Sequence, residues 1–439
     1  MGSYIPSTGD ERLEMLRAIG HASIDELYPD VPESVMLKAP LNIPKGLSEM
    51  EVRAKMEAMA AGNTVFPIVL RGAGAYDHYI PAVVGSITSK EEFSTTYTPY
   101  QAEISQGVLQ SIFEYQTMVC ELTGMDASNA SLYDGASAAA EAAMMCLDRR
   151  RNTVFVAATA HPDVIETIRT YCWGRDIPFG LVSAKDGRVD ADALHSLLDD
   201  KTACVYLQQP NFFGLLEDAD ELVRSVHAAG AKAIMGVNPI SLGMLATPYD
   251  CGADIAVGEG QPLGLPLSFG GPYLGFMASR KELTRSLPGR IVGETKDARG
   301  NRAFVLTLQA REQHIRREKA GSNVCSNQAL CAMTAAVYMA AMGPQGIRQA
   351  AELSYHKAHY LAAQLQKIPG FRMVYRGEFF HEFLTTCPID PAKFEKALMD
   401  KGILPGLIVD GNLLWCVTEK QSKASLDAVV QTIKEVCAQ

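Results

Sequence analysis

Side chains that could bind a small polar molecule or move a proton are concentrated in two polar-aromatic segments. The first, residues 72–81, reads GAGAYDHYIP, and the second, residues 95–107, reads TTYTPYQAEISQG. Neither has the periodicity of a helix or a strand, and loops of this composition commonly carry sites on a rigid scaffold. The alternative is a tyrosine-rich packing loop whose hydroxyl groups bond to the backbone. The candidate site residues of the second segment are Tyr97, Thr98, Tyr100, Gln101 and Glu103.

A glycine- and proline-rich stretch is the second candidate for a site. Residues 258–276 read GEGQPLGLPLSFGGPYLGF and follow an apolar run at 254–257 that predicts a short buried strand. Such density of glycine and proline indicates a loop with unusual backbone dihedrals, or one that passes close to a bulky group. The alternative is a tight crossover between two core strands.

The elements that must position these loops alternate regularly along the chain. Short β-rich runs at 153–158, 179–182, 203–208, 233–237 and 255–257 are separated by helical patterns. This alternation predicts an α/β fold with a mainly parallel sheet and right-handed crossovers. The last seventy or so residues read β-β-α-β-β-α, which is typical of a compact α+β unit. We therefore expect an N-terminal helical arm (1–70), a large domain (71–320) and a C-terminal α+β small domain (321–439).

The bulk composition excludes several function classes. The chain has 439 residues, a hydrophobic content of 47% and a net charge of −10. This charge argues against nucleic acid and against an anionic membrane as partners. Ten cysteines without a Cys-x-x-Cys pair indicate reduced thiols, and the N-terminus has no apolar signal segment. We expect a cytoplasmic, soluble protein.

Three smaller groups of polar or charged residues are weaker candidates for a binding or catalytic site. His356 and His359 lie three residues apart on a predicted helix but have no third ligand, so we predict no metal site. The basic residues between Arg311 and Lys319 could hold an acidic carrier protein or form a solvated helix face. Asp77 and His78 are acid–base residue types without a third member.

The glycine- and proline-rich stretch is similar to the lysine loop of glycine decarboxylase, the pyridoxal-phosphate (PLP) dependent P-protein of the glycine cleavage system. Aligning the prolines of the two loops on Pro266 and Pro272 puts Gln261 where that family has its cofactor lysine. An amide cannot form a Schiff base, because its nitrogen lone pair is delocalised. The resemblance runs from about residue 4 to the end, and its specific segments are YTPYQAEISQG (97–107), FEYQTM (113–118), ELTGM (121–125), PGRIVGE (288–294) and LTLQAREQHIRREKA (306–320).

The resemblance implies the fold-type I PLP-dependent transferase (aspartate aminotransferase-like) architecture. In that fold the cofactor phosphate lies at a helix N-terminus, and Ser137 follows such a start, although ordinary capping explains it equally. His161 follows a strand where a ring commonly stacks on the cofactor, or it is a structural hydrogen-bonding residue. Asn238 stands where the pyridinium nitrogen needs a carboxylate, whose charge an Asn cannot supply. These three are degenerate cofactor-binding candidates.

The resemblance also implies a function within a complex. The alpha chains of two-subunit glycine dehydrogenase (decarboxylating) lack the PLP lysine and pair with a beta subunit that carries it. The complex, an oxidoreductase and an expected α2β2 hetero-oligomer, decarboxylates glycine and transfers the aminomethyl group to the lipoyl arm of H protein. No catalytic residue is then expected on this chain alone. Residues Tyr97, Thr98, Tyr100, Gln101 and Glu103 are expected to contribute to a site shared with the partner's cofactor.

Two other functions stay open at this point. The chain could be a structural or regulatory pseudo-enzyme that stabilises a PLP enzyme without touching its substrate. It could also be a stand-alone PLP enzyme that uses another lysine, such as Lys232 or Lys296.

Overall fold

A seven-stranded sheet lies at the centre of the computed structural model, which describes residues 7–96 and 98–438. Its strand order is β2-β10-β9-β8-β7-β3-β4, and β4, β3, β7, β8 and β9 run parallel to one another. Only β10 is antiparallel to its neighbours β9 and β2. The predicted mainly parallel sheet is confirmed. The strands are β1 (Ile68–Val69), β2 (Ala127–Ser128), β3 (Thr153–Ala157), β4 (Phe179–Val182), β5 (Ala184–Lys185), β6 (Arg188–Val189), β7 (Thr202–Gln209), β8 (Lys232–Val237), β9 (Ile255–Glu259), β10 (Gly275–Ser279), β11 (Ile291–Lys296), β12 (Arg302–Thr307), β13 (Glu382–Thr385), β14 (Ile403–Leu404), β15 (Leu407–Val409) and β16 (Asn412–Cys416).

Helices cover both faces of this sheet. Successive strand side chains point to opposite faces, so Val154 and Val156 of β3 pack with α6 and α7, while Phe155 and Ala157 pack with α8 and α9. Both faces of the central sheet are therefore covered by apolar side chains of the helices. The helices are α1 (Gly9–Ala18), α2 (Glu49–Ala60), α3 (Ala82–Thr88), α4 (Glu91–Ser94), α5 (Gln106–Thr123), α6 (Gly135–Met145), α7 (Pro162–Trp173), α8 (Ala191–Leu197), α9 (Ala219–Ala228), α10 (Gln313–Arg316), α11 (Ala329–Leu365), α12 (Pro391–Met399) and α13 (Lys423–Cys437).

A second hydrophobic core forms in the C-terminal part of the chain. A three-stranded antiparallel sheet, β13-β16-β15, packs against α12, α13 and the C-terminal half of α11. Trp415 of β16 is fully buried there, and its indole nitrogen donates to the hydroxyl oxygen of Thr385 at 2.9 Å. This sheet brings the start of β13 towards the central sheet, because Phe380 N donates to Gly214 O at 3.0 Å.

Several predicted elements differ from the structure. The glycine- and proline-rich stretch ends in strand β10, and β11 with β12 forms a hairpin that no predicted strand anticipated. Residues 372–375, predicted as a strand, make only one isolated bridge, between Met373 and Thr385. The two predicted helices after residue 325 are confirmed: they meet at Gly343, whose backbone is not helical, and together they form the kinked element α11.

Helix α11 is long and apolar enough, by length and composition, to cross a membrane. Sixteen of its residues are buried, and thirteen of these, among them Ala335, Tyr338 and Leu361, belong to two hydrophobic cores. This burial is typical of the core helix of a soluble protein.

The structure divides into two compact units, residues 1–65 and 66–439. In the first unit α1 and α2 each begin with a capping box, formed by Thr8 with Glu11 and by Ser48 with Glu51. Almost all of its apolar side chains are exposed; Leu16 is the one buried among the described residues of this unit. The predicted domain boundaries at 70/71 and 320/321 stay predictions.

Candidate functional site

A cavity lies where the parallel strands of the central sheet end. It has a volume of ≈ 660 Å³, and its walls include residues at or after the carboxyl ends of β3, β7, β8 and β9. The N-terminus of α6 and the start of β13 close two further sides. Crevices at the carboxyl ends of parallel strands are the usual ligand sites of α/β folds.

Three residues proposed from the sequence meet in this cavity. Ser137 lies in the first turn of α6, His161 directly precedes α7, and Asn238 follows β8. The resemblance to fold-type I PLP enzymes implied these three positions, and they converge because parallel strands end at one edge of the sheet. Their roles towards a cofactor stay predictions.

The N-terminus of α6 is already bonded to two carboxylates of this chain. Asp134 is the N-cap, and its Oδ1 accepts from Ser137 N at 2.7 Å. Glu259 Oε2 accepts from Gly135 N at 3.0 Å. A helix N-terminus stabilises an anion through its free N–H groups and its dipole. Here two of the first three N–H groups are satisfied by internal anions.

Glu259 is a site residue that the sequence reasoning did not single out. Besides Gly135 N, its carboxylate accepts from Gln261 N at 2.9 Å and from Leu274 N at 3.0 Å. Burial raises the pKa of Glu259 to about 7, and the backbone donors only partly oppose this rise. The available signal was an acidic residue directly after a buried strand, inside a glycine-rich loop.

Gln261 lies beside this carboxylate, and its side chain is committed to the backbone. Its Oε1 accepts from Tyr76 N at 2.8 Å, and its Nε2 donates to Tyr76 O at 3.0 Å and to Leu265 O at 2.8 Å. The residue is 1% exposed. This amide therefore ties the 72–81 segment to the glycine-rich loop and has no free group for covalent chemistry.

His161 and Asn238 also make local hydrogen bonds. His161 Nδ1 accepts from Asp163 N at 3.1 Å, so its Nε2–H donates to Ala73 O at 2.8 Å. Asn238 Oδ1 accepts from Ile240 N at 2.9 Å, and its Nδ2 lies 3.3 Å from His381 Nε2. Neither places a charge in the cavity.

Glu382 and His381, at the start of β13, form the opposite wall and were also missed. Glu382 Oε1 accepts from Ala73 N at 2.6 Å, and its Oε2 accepts from the hydroxyl of Tyr76 at 2.8 Å. Burial raises the pKa of Glu382 to about 7. Burial also lowers the pKa of His381, with the nearby His78 adding to the effect. Nothing in the sequence around residue 381 indicated that the C-terminal part reaches this cavity.

The described residues of the 95–107 segment do not line the cavity, and most of them lie at the surface. Tyr100, Gln101 and Glu103 are exposed and Thr98 is half-buried, whereas Tyr97 lies outside the described residues. The buried Arg290 holds the segment, because its Nη2 donates to the Tyr100 hydroxyl at 3.0 Å and its guanidinium lies 5.1 Å from the ring centroid. These residues and the cavity group are thus two separate features.

The weaker constellations have structural partners. His78 Nδ1 lies 2.6 Å from Glu419 Oε2, and Asp77 pairs with Lys420. His359 Nε2 donates to Phe379 O at 2.9 Å. In the part of the chain that the structure describes, no group of His, Cys, Asp and Glu side chains is arranged to hold a metal. The basic residues between Arg311 and Lys319 are mostly exposed beside a smaller cavity of ≈ 360 Å³.

The cavity does not fit the PLP that the resemblance leads one to expect. Among the described residues that line it there is no Lys or Arg to balance a phosphate, while Asp134, Asp163, Glu259 and Glu382 all line it. Two of the first three N–H groups of α6 are bonded to carboxylates, and the lysine position is an amide. A dianionic phosphate in this place would face like charges without compensation.

Comparison with known proteins shows full-length similarity. The family described as "Glycine cleavage system P-protein" matches residues 2–433. The "Probable glycine dehydrogenase (decarboxylating) subunit 1" of Carboxydothermus hydrogenoformans is 51% identical over 98% of this chain and 99% of that protein.

Solved structures agree in fold. The crystal structure of glycine decarboxylase (P-protein) of the glycine cleavage system, in inhibitor-bound form, superposes with a TM-score of 0.94 at 40% identity, covering 99% of this chain and 100% of that chain. A Burkholderia pseudomallei sphingosine-1-phosphate lyase gives a TM-score of 0.67 at 14% identity over 91% of this chain and 93% of its own. The predicted fold-type I architecture is confirmed.

Proposed function

Because this chain belongs to the glycine cleavage system P-protein family, we propose that it is subunit 1 of a two-subunit glycine dehydrogenase (decarboxylating). With a PLP-bearing beta subunit it decarboxylates glycine and transfers the aminomethyl group to the lipoyl arm of H protein. The complex is an α2β2 hetero-oligomer in the cytoplasm. The match to subunit 1 proteins over nearly their whole length supports an enzyme subunit rather than a pseudo-enzyme.

One observation carries the division of labour between the two subunits. Gln261 occupies the cofactor-lysine position, and its side-chain amide is hydrogen-bonded to the backbone of Tyr76 and Leu265. The cavity beside it offers four carboxylates and no lysine or arginine among its described residues. PLP, when bound to the partner, supplies the electron sink for decarboxylation. This chain instead orients groups and excludes water.

We assign the surface segment Thr98–Glu103, together with Tyr97, to the shared site. Support comes from the exposure of Tyr100, Gln101 and Glu103, which leaves their polar groups available to a partner. Arg290, itself bonded to Asn327 at 2.8 Å, holds the Tyr100 ring and hydroxyl in one orientation. A pre-oriented hydroxyl costs little entropy when it meets substrate.

The test is reconstitution with the PLP-bearing subunit, using release of CO2 from glycine in the presence of lipoylated H protein. Tyr100→Phe removes only the hydroxyl, and we expect kcat to fall about tenfold, as for the loss of one substrate-orienting hydrogen bond. Tyr249→Phe is the matched control, because Tyr249 is also exposed and stacks with an arginine, Arg280, at 4.5 Å.

The assembly of each complex is measured in parallel by size-exclusion chromatography with light scattering. Unchanged turnover in Tyr100→Phe, Tyr97→Phe and Glu103→Gln, with the complex still assembled, would favour a purely structural subunit.

A further inference from the structure

The cavity keeps the dimensions of a ligand site although it does not fit PLP. Its volume of ≈ 660 Å³ lies within the roughly 300–1,000 Å³ of small-molecule sites. The charged residues that line it are all acidic, namely Asp134, Asp163, Glu259 and Glu382, and no lysine or arginine does so among the described residues. Aromatic rings form much of the remaining wall, namely those of Tyr76, Tyr133, His161, Tyr206, Phe212 and Tyr273.

Tyr206 provides an independent observation. Its side chain is 3% exposed and lines the cavity, and its hydroxyl has no hydrogen-bond partner among the described residues. The hydroxyl lies over Gly236, where an added Cβ would come within 1.9 Å of it. The Tyr206 hydroxyl is not one of the enclosed polar atoms that lack a partner, so it is open to the cavity and free to bond to a molecule there.

We propose that this cavity binds a small organic ammonium ion, held by the carboxylates of Glu259 and Glu382, by the Tyr206 hydroxyl and by the aromatic walls. The carboxylates supply charge-assisted acceptors, and the rings attract a cation through their π faces. Glycine itself does not fit, because its carboxylate would meet Asp134, Glu259 and Glu382 with no cation opposite. The site is therefore distinct from the shared glycine site proposed above.

Binding of a cation should be linked to proton release. Glu259 and Glu382 have pKa values raised to about 7 by burial, so each holds a proton part of the time near neutrality. An ammonium ion beside them favours the charged carboxylates and lowers their pKa values. The proton that leaves each carboxyl group goes to solvent.

Two probes of equal shape test the charge requirement. Benzylamine carries an ammonium group where benzyl alcohol carries an uncharged hydroxyl group. Both molecules are smaller than the cavity. Isothermal titration calorimetry of the purified chain, at pH 7 in two buffers of different ionisation enthalpy, is expected to show benzylamine binding with proton release. Benzyl alcohol should bind at least about tenfold more weakly, the difference that one charge-assisted hydrogen bond produces. Equal affinities for the two probes would overturn the proposal.

Variants then locate the site. Tyr206→Phe removes a hydroxyl that has no partner in the free protein, so the fold is kept, and benzylamine affinity should fall about threefold to tenfold. Glu382→Gln can still accept from Ala73 N, and it should weaken benzylamine about tenfold and reduce the proton release. Glu352→Gln, which removes a surface charge paired with Arg348, should leave both quantities unchanged.

Benzylamine binding that is unchanged in Tyr206→Phe and in Glu382→Gln would contradict the assignment, as would tighter binding of inorganic phosphate than of benzylamine. None of these readouts uses glycine turnover. A failure here therefore leaves the proposed function standing, and a failure of the reconstitution leaves this proposal standing.

Discussion

At Gln261 one side chain holds together two loops that are 185 residues apart in sequence. An amide both donates and accepts, which is what Tyr76 N, Tyr76 O and Leu265 O require together. The residue at this position thus has a structural role that a lysine would not fill, because an ammonium group cannot accept a hydrogen bond.

Replacing Gln261 with Glu should destabilise the chain strongly. A carboxylate cannot donate to the carbonyl oxygens of Tyr76 and Leu265, and it would be buried beside Glu259. We expect a loss of roughly 3 kcal/mol in the free energy of unfolding, measured by urea denaturation. Gln364→Glu, whose side-chain oxygen faces Lys367, is the control and should cost nothing measurable. Equal stabilities of the two variants would refute the structural role of the amide.

Glu382 predicts a pH dependence of stability with a definite sign. Its pKa is raised from 4.5 to about 7 in the folded state, because burial disfavours the charged form. The folded chain therefore binds a proton that the unfolded chain has lost between about pH 4.5 and 7. Its stabilising contribution is complete below pH 4.5 and is lost as the pH rises through about 7.

Glu382→Gln imitates the protonated form and should remove this dependence. Relative to wild type, the variant should gain stability between pH 5 and pH 8, by up to about 3 kcal/mol at ~1.4 kcal/mol per pKa unit. Thermal midpoints across this pH range measure the difference, with Glu352→Gln as control. A wild-type-to-variant difference that stays constant with pH would show that Glu382 titrates normally.

Sequence reasoning identified some residues of the cavity and missed others for a physical reason. Ser137, His161 and Asn238 were proposed because the resemblance to fold-type I PLP enzymes implies cofactor contacts at a helix start and after two strands, and the alternating pattern located those elements. Glu382 and His381 enter the cavity only because a strand of the C-terminal sheet packs against the loop after β7. Such tertiary contacts leave no local pattern in the sequence.

At the scale of elements, the alternating core was predictable and the irregular parts were not. Strands β4, β7 and β8 lie within one residue of the predicted runs, because short apolar segments between helices have few alternatives. The hairpin of β11 and β12 was missed because only Ile291, Val292 and Phe304 of its strand residues are buried, so its apolar pattern is weak. Residues 372–375 have a strand-like composition but lack a continuous partner.

The kink of α11 depends on one backbone conformation. Gly343 has φ 61° and ψ 176°, a region that only glycine occupies readily. Gly343→Ala should therefore lower stability by about 1–3 kcal/mol although a Cβ there meets no atom within 4 Å. Gly107→Ala, inside α5 and also without neighbours within 4 Å, is the matched control and should be neutral or stabilising by roughly 0.5–1 kcal/mol. The free energy of unfolding of both variants is measured in urea. If Gly343→Ala is as stable as Gly107→Ala, the positive φ of Gly343 does not require glycine.

At the scale of the whole molecule, the hydrophobic cores lie in residues 66–439. None of the described core clusters includes a residue of the first unit. A chain that begins at Phe66 should therefore fold and keep its thermal midpoint within about 3 °C of the full chain, since little buried apolar area is lost.

The control deletion is α13, which contributes Leu426, Val429 and Ile433 to the C-terminal core. Its removal should prevent cooperative unfolding altogether. If both truncated chains melt alike, the first unit supports the fold in a way that its exposed side chains do not explain.

The proposed division of labour between the two subunits requires that PLP is bound to the partner subunit. The most direct measurement is a titration of this purified chain with PLP, followed by visible absorbance, together with release of CO2 from glycine. The same titration is made with the PLP-bearing subunit added. We predict neither a bound-cofactor band nor CO2 release for the chain alone, and both after the partner is added. A chain that turns yellow with PLP and decarboxylates glycine unaided would contradict the account.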